Sequence, residues 1–275
     1  MTISDVQEYY ANNSEKEWKR LQRHPVTQIE FETTKRYIDK YLKKTETILD
    51  IGGGPGRYTF WLAERGNKVI LADYTKELID KAKRIYQRSP KIIKANILGI
   101  SQEDVRNLSK YTDSEFDATI CLGGVLSHLV SEEDRISAIN ELSRVTEKDG
   151  FIFISVISLL ATIKNEIIMK FIDEVAEDNI FRITETGDYD GTSGFTSCHF
   201  FTADDLKQLI HNSGLELIEL VGLEGFASHL EKQMKEFKKN DKAWNNIHKI
   251  IKYYEKHPSV IDFSEHILAV CKNTK

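Results

Sequence analysis

Ile48-Leu-Asp50-Ile-Gly52-Gly53-Gly54-Pro-Gly56 brings an apolar run, a carboxylate and four glycines into one short stretch. Glycines at such a point let the chain turn tightly and let a ligand approach the backbone. If a helix follows, its first N–H groups are unpaired and offer positive potential to an anionic group. Two nucleotide-binding patterns can be compared. The dinucleotide fingerprint needs G-x-G-x-x-G or a final Ala; its last position would be Arg57 counted from Gly52, or Thr59 counted from Gly54. The phosphate-binding P-loop needs a glycine where Arg57 stands. Neither fits. Further along, Asp73 closes a second apolar run, Lys68–Leu71, and Asp104 sits in Asp104-Val-Arg-Asn-Leu108. Carboxylates so placed can accept charge-assisted bonds from ligand hydroxyl or amino groups. Asp73 equally suits a helix N-cap and Asp104 a polar loop. His128, His199, Tyr9 and Tyr10 offer proton-accepting groups, and each also fits a packed or surface residue.

The elements that must position these groups alternate. Strands are predicted at Ile48–Ile51, Lys68–Leu71, Ile100–Glu103, Phe116–Leu122 and, after Gly150, Phe151–Ile157. Helical composition fills Gly56–Arg65, with Gly66 as its stop, and Glu77–Gln87. Ser131 to Asp134 has the form of a capping box, and Ile136, Ile139, Leu142 and Val145 follow on one helical face. Such alternation predicts an α/β fold, a doubly wound, mostly parallel sheet with helices on both faces. After residue 157 the rhythm changes. Leu159–Ala176 reads as a helix, and Phe181–Thr186 with Thr196–Phe201 as a hairpin around GDYDGTSG. Thr202 caps a helix over Ala203–Asn212 that Gly214 ends. Leu215–Val221 and His266–Lys272 complete seven strands. Between them Leu230–Tyr254 has the stripe of one amphipathic helix. Residues 3–44 read as helix broken in two at His24-Pro25.

The glycine segment resembles motif I of class I S-adenosylmethionine-dependent methyltransferases, (D/E)-x-G-x-G-x-G, with Asp50, Gly52, Gly54 and Gly56 at the fixed positions. The resemblance extends over residues 45–157 and, more weakly, 196–221 and 266–272. It implies a Rossmann-like seven-stranded sheet and S-adenosylmethionine as methyl donor, leaving S-adenosylhomocysteine. Asp73, beside Tyr74, would hold the ribose hydroxyls. Asp104 would accept from the adenine amino group, and the Val105 N–H would meet a ring nitrogen. Leu122 and Gly123, after the Phe116-Asp-Ala-Thr-Ile strand, would lie beside the cofactor. His128, on the loop leaving strand four, becomes the candidate base, with His199, Tyr9 and Tyr10 behind it. The implied organisation is one methyltransferase domain over 1–275. Within it are an N-terminal helical lid (1–44), a cofactor-binding core (45–157) and substrate-pocket insertions (158–200 and 222–265). The resemblance also narrows the acceptor. Leu122-Gly-Gly-Val125 is not the [DNS]-P-P-[YFW] of amino-methylating nucleic-acid enzymes, and Cys121 lacks a preceding proline. No acid cluster closes strand four, so no metal is expected, and there is no CxxxCxxC. A small-molecule acceptor remains.

Composition is consistent with an enzyme of this kind. The 275 residues are 40% hydrophobic and 29% charged, with 38 Lys plus Arg against 43 Asp plus Glu, a formal net charge of −5. That disfavours a duplex nucleic-acid partner. Cys121, Cys198 and Cys271 show no redox or ligand spacing, which predicts a reducing, cytoplasmic setting. The N-terminus has no basic n-region, and the apolar stretch Phe151–Ala161 is too short for a bilayer, which needs about 20 residues. The eight lysines of 231–256, against four acids, read as a solvated face or an anion-facing one. An NAD- or FAD-binding oxidoreductase and a cofactor-binding, non-catalytic partner protein are the competing functions.

Overall fold

The computed structural model describes residues 3–173, 177–191 and 195–275. Its strands are β1 (Thr47–Ile51), β2 (Lys68–Asp73), β3 (Ile97–Gln102), β4 (Phe116–Cys121) and β5 (Thr146–Ile157), then β6 (Asp188–Tyr189), β7 (Cys198–His199), β8 (Glu216–Gly222) and β9 (His266–Lys272). Seven form one sheet in the order β3-β2-β1-β4-β5-β9-β8, and β6 pairs with β7 alone. β1 to β5 are mutually parallel, while β9 runs antiparallel to both β5 and β8. The doubly wound, mostly parallel sheet expected from the sequence is therefore present.

The helices are α1 (Ile3–Asn12), α2 (Ser14–Arg23), α3 (Pro25–Tyr41), α4 (Arg57–Arg65), α5 (Lys76–Arg88), α6 (Lys91–Lys94) and α7 (Glu132–Val145). After them come α8 (Leu159–Thr162), α9 (Glu177–Thr186), α10 (Ala203–Ser213), α11 (Glu231–Phe237), α12 (Asp241–Tyr254) and α13 (Pro258–Phe263). Period-two alternation sends successive strand residues to opposite sides. Leu49, Ile152, Ile154, Ala269 and Cys271 pack with Ile139, Leu142, Leu206 and Ile210 of α7 and α10. Ile48, Ala118, Phe153, Leu268 and Val270 pack with Ile38, Tyr58 and Leu62 of α3 and α4. Local signals end the helices where expected. Gly66 (φ 113°) and Gly214 (φ 77°) close α4 and α10, Ser131 caps α7, and Thr202 and Asp205 form a reciprocal capping box.

Several boundaries differ from the sequence reading. β3 starts at Ile97 instead of Ile100, and β5 starts at Thr146, with its pairing to β4 shifted before Phe151. Residues 3–41 form three helices, with a further break at Asn13. The single helix expected over Leu230–Tyr254 is two, because the Asn240 side chain accepts from the Ala243 N–H and starts α12 afresh. Phe181–Thr186 is helical. Ile183 buries against Tyr189 and Phe200, and the Thr184 and Thr186 hydroxyls bond back to the Ile180 and Arg182 carbonyls. The hairpin shrinks to β6 and β7, and Thr192–Gly194 of its turn lie outside the described residues. Past α8 the helix expected to Ala176 widens into i→i+5 bonding over Ile163–Phe171, and its expected last residues, 174–176, lie outside the described residues.

Candidate active site

The carboxyl ends of the parallel strands open on one cavity of about 980 Å³, at the upper end of ligand-pocket sizes. β1 leads into the glycine loop there, β2 ends at Asp73, and β3 leads into Glu103-Asp104-Val105. β4 leads into Leu122-Gly123 and β5 ends at Ile157. Because β9 is antiparallel, its first residue, His266, pairs with Ile157 and reaches the same edge. α1 and α2 add Tyr9, Tyr10, Glu17 and Arg20 from above that edge.

In the loop, the Gly52 and Gly53 N–H groups donate to the Ala72 carbonyl at 2.8 and 3.2 Å, tying β1 to β2. Gly52 has φ 69°, and a Cβ there would lie 2.2 Å from Val125 Cγ2. Gly56 serves packing. Its Cβ would meet the Phe60 ring at 2.9 Å, and it does not line the cavity, although the sequence pattern groups it with the ligand-facing glycines. Asp50 is buried. The Thr59 hydroxyl donates to its Oδ2 at 2.5 Å, while Oδ1 has no partner. Burial, reinforced by the Asp73 charge and opposed by Thr59, pushes its pKa up to about 7. Asp73 accepts the Gly54 N–H on Oδ2 (2.8 Å) and the Thr75 N–H on Oδ1 (2.7 Å). Burial outweighs these bonds and raises it to about 6.

Asp104 and Val105 line the cavity as well. The Asp104 carboxylate is engaged by Arg106, whose Nη2 lies 2.5 Å from Oδ2 and whose backbone N–H donates to Oδ1. Burial works against ionisation here, yet the Arg106 bonds hold the pKa below the ordinary carboxylate value. Tyr74 lies at the rim with its ring partly exposed, and its carbonyl accepts from the Gln102 amide. Leu122 is buried in the wall.

His128 also faces the cavity. Its Nε2 is 2.8 Å from the Tyr10 hydroxyl, and Nδ1 is 3.4 Å from the Ser197 carbonyl. Burial pushes it down to about 4, so the ring is neutral at pH 7. Tyr9, Tyr10, His128 and Phe195 form one aromatic cluster with centroid separations of 5.3–5.7 Å. His199 is not brought to the cavity. It pairs with Asp188 across the small hairpin at 2.7 Å.

The sequence reading missed the charged groups on the β5–β9 side. Arg20 holds Glu30 through two nitrogens (2.7 and 3.1 Å) and Glu17 through Nε (3.0 Å). Glu224 receives His266 Nδ1 at 2.7 Å, the His266 N–H at 2.9 Å and the Ser264 hydroxyl at 2.8 Å. His229 lies between Glu265 (3.3 Å) and Glu166 (3.8 Å). These residues are scattered over more than 200 positions. The available sign is a Glu-His pair directly ahead of the wholly apolar stretch Ile267–Cys271. Glu30, Glu224 and His266 are close enough to share a cation, but Arg20, Ser264 and His266 already occupy these carboxylates; His229, Glu231 and Glu265 have a similar spread.

Residues 49–154 match the family model described as a methyltransferase domain. A glycine/sarcosine N-methyltransferase of Parasynechococcus marenigrum is 32% identical over 108 residues, 39% of this chain and 36% of that protein. One from Aphanothece halophytica is 32% identical over 120 residues, 43% of each chain. The chain thus matches well under half the length of these relatives. Among solved structures, an S-adenosylmethionine-dependent methyltransferase of Methanosarcina mazei superposes with a TM-score of 0.59 at 20% identity, covering 86% of this chain and 96% of that one. A TehB-like one from Corynebacterium glutamicum gives 0.53 at 17% identity, covering 97% and 99%. Residues 49–154 therefore match a methyltransferase domain, carried on a sheet with the fold of S-adenosylmethionine-dependent methyltransferases.

Proposed function

We propose that the protein transfers a methyl group from S-adenosylmethionine to a small-molecule acceptor. The observation that carries this reading is the single cavity in which Asp50, Gly52–Gly54, Asp73, Asp104 and Val105 share a wall. The residues suit the cofactor on their own chemistry. Asp50 Oδ1 is a buried acceptor without a partner, and the glycine loop presents bare backbone. Each Asp73 oxygen has a lone pair beyond its single N–H bond. Asp73 would take the ribose hydroxyls, and Asp104 with the Val105 N–H would take the adenine edge. Tyr74 and Leu122 would flank it, and Gly52 and Gly54 would admit the amino-acid end. When bound, the cofactor supplies an electrophilic methyl group on a sulfonium, so the protein's task is to orient and to exclude water.

Helices α1 and α2 serve as a lid, and the segments 158–200 and 222–265 shape the acceptor side. Tyr9 and Tyr10 lie over the cavity, and Ile167, Ile183 and Phe200 line it. His128 is too weak a base at pH 7 to remove a proton unaided; it positions the Tyr10 hydroxyl. Attack on a sulfonium methyl needs no Lewis acid, so turnover persists in EDTA. No helix of the described residues is long and apolar enough to cross a membrane. Three buried, unpaired cysteines and the −5 charge support a cytoplasmic enzyme without a nucleic-acid partner.

Calorimetry tests the reading. S-adenosylhomocysteine should bind wild-type protein, and Asp73→Ala should weaken it at least about tenfold through lost charge-assisted bonds. Binding of NAD with no heat from S-adenosylhomocysteine would overturn it.

A further inference from the structure

The cavity has two halves. Strands β1 to β4 supply the cofactor wall; β5, β9 and the segments around Glu166, Ile183 and His229 supply the other. No lysine lines the cavity among the described residues, and two of its three arginines are ion-paired. Arg20 is held by Glu30 and Glu17, and Arg106 by Asp104 and Asp134. Arg57, at the start of α4 beside the glycine loop, lies on the Trp18 ring 3.6 Å from its centroid and donates to the Trp18 carbonyl; its charge has no carboxylate partner among the described residues, but it sits on the cofactor half. His266 is bonded to Glu224. Among the described residues, the half built by β5, β9 and the segments around Glu166, Ile183 and His229 is thus left with no unpaired cation to receive a carboxylate or phosphate.

Carboxylates line this half instead. Glu265 Oε1 accepts the His229 backbone N–H at 3.1 Å and lies 3.3 Å from His229 Nε2, and among the described residues no hydrogen bond reaches its Oε2. Glu166, on the widened helix, is paired with Lys170 at 2.7 Å and approaches His229 from the other side at 3.8 Å, with 40% of its side chain exposed. The aromatic faces of Tyr189, Phe195 and Phe200 belong to the same half. Carboxylates beside aromatic faces in a partly dry cavity select a cation.

Resting on the methyl-transfer reading, we infer that the acceptor molecule carries a cationic amine, seated against Glu265 and Glu166 with its organic part on the aromatic wall. The electrostatics agree. Burial and the Glu224 charge, opposed by His266, hold the Glu265 carboxyl up at about 8. Glu30, also facing it, adds to the rise, and His229 is kept neutral by burial. An empty site therefore favours the protonated form of Glu265. An arriving ammonium restores the carboxylate and releases a proton.

The test uses full-length protein saturated with S-adenosylhomocysteine. 2-Phenylethylamine and n-hexylamine are titrated by calorimetry beside the matching alcohols and carboxylates, in buffers of differing ionisation enthalpy. The amines should bind at least about tenfold more tightly than the alcohols, and the carboxylates more weakly still. Amine binding at pH 7 should be accompanied by proton release. Glu265→Gln keeps an oxygen for the His229 N–H. It should lose the amine preference and the proton release while binding S-adenosylhomocysteine normally. Glu166→Gln, at a half-exposed position, should lose part of the preference. Equal binding of amines and alcohols, tighter carboxylates, no binding by the amines, or an unchanged preference in Glu265→Gln overturns the inference. Absence of S-adenosylhomocysteine binding would instead overturn the methyl-transfer reading beneath it.

Discussion

His266 couples the cavity wall to the stability of the fold, and the coupling has a sign. Its ring is buried at a cost, but the Glu30 and Glu224 charges and the 2.7 Å bond to Glu224 raise its pKa to about 9. Arg20 partly opposes them. An unfolded histidine titrates near ~6.5. A histidine whose pKa rises on folding contributes fully below its unfolded value, and that contribution is lost as pH climbs through the folded one. At about 1.4 kcal/mol per unit, the contribution at pH 7 is roughly 2–3 kcal/mol, and close to none remains at pH 10. The perturbation is His266→Gln, which keeps a neutral donor for Glu224. Urea unfolding of both proteins is measured at pH 7 and pH 10. The variant should be less stable by roughly 2–3 kcal/mol at pH 7, and the gap should close at pH 10, where the wild-type ring is neutral too. Taking the difference between the proteins removes the lysines and tyrosines, which titrate in both. A gap that stays constant with pH would refute an ion pair as the source of the stabilisation.

Three further outcomes follow from contacts already described or nearby. Gly52→Ala imposes φ 69° on a residue with a Cβ and drives that atom to 2.2 Å from Val125; the backbone term alone is roughly 1–3 kcal/mol. Its melting temperature should fall, and adding Val125→Ala should recover only the contact part. Glu255→Ala removes the acceptor of the Tyr37 hydroxyl (2.6 Å) and of two Arg36 nitrogens. It should cost roughly 2–4 kcal/mol in urea unfolding, with Glu255→Gln milder because an acceptor oxygen remains. The three cysteines are buried, and burial raises the pKa of all three thiols, that of Cys271 to about 12. A thiol reagent at pH 8 should modify them only on unfolding, and rapid native labelling of any one would contradict their placement.

Much of the proposed cofactor wall was legible beforehand because it is local. Asp50 to Gly56 and Asp73 sit at strand ends within a few residues of the glycines or turns that fix them, and strand periodicity put them at one edge. Where local signals competed, packing decided. Phe181–Thr186 has strand composition, but Ile183 buries better on a helix against Tyr189 and Phe200. Asn240 interrupts a continuous apolar stripe because its side chain can satisfy the first N–H groups of a new helix. The Asp104 and Arg106 side chains are two residues apart, yet no spacing rule indicates that they engage each other.

The sequence alone determined the alternation of elements, the helix caps and the carboxylate-and-glycine edge of the sheet, since each follows from neighbouring residues and a period. Only the tertiary structure decided the opposite wall. The antiparallel entry of β9 pairs His266 with Ile157, and α2 and α3 lay Arg20 and Glu30 against the same edge. That half of the site is assembled by chain reversal and by pairing of buried charges across more than 200 residues. Such pairing leaves no periodic trace, because the partners are chosen by the desolvation cost of leaving each one alone.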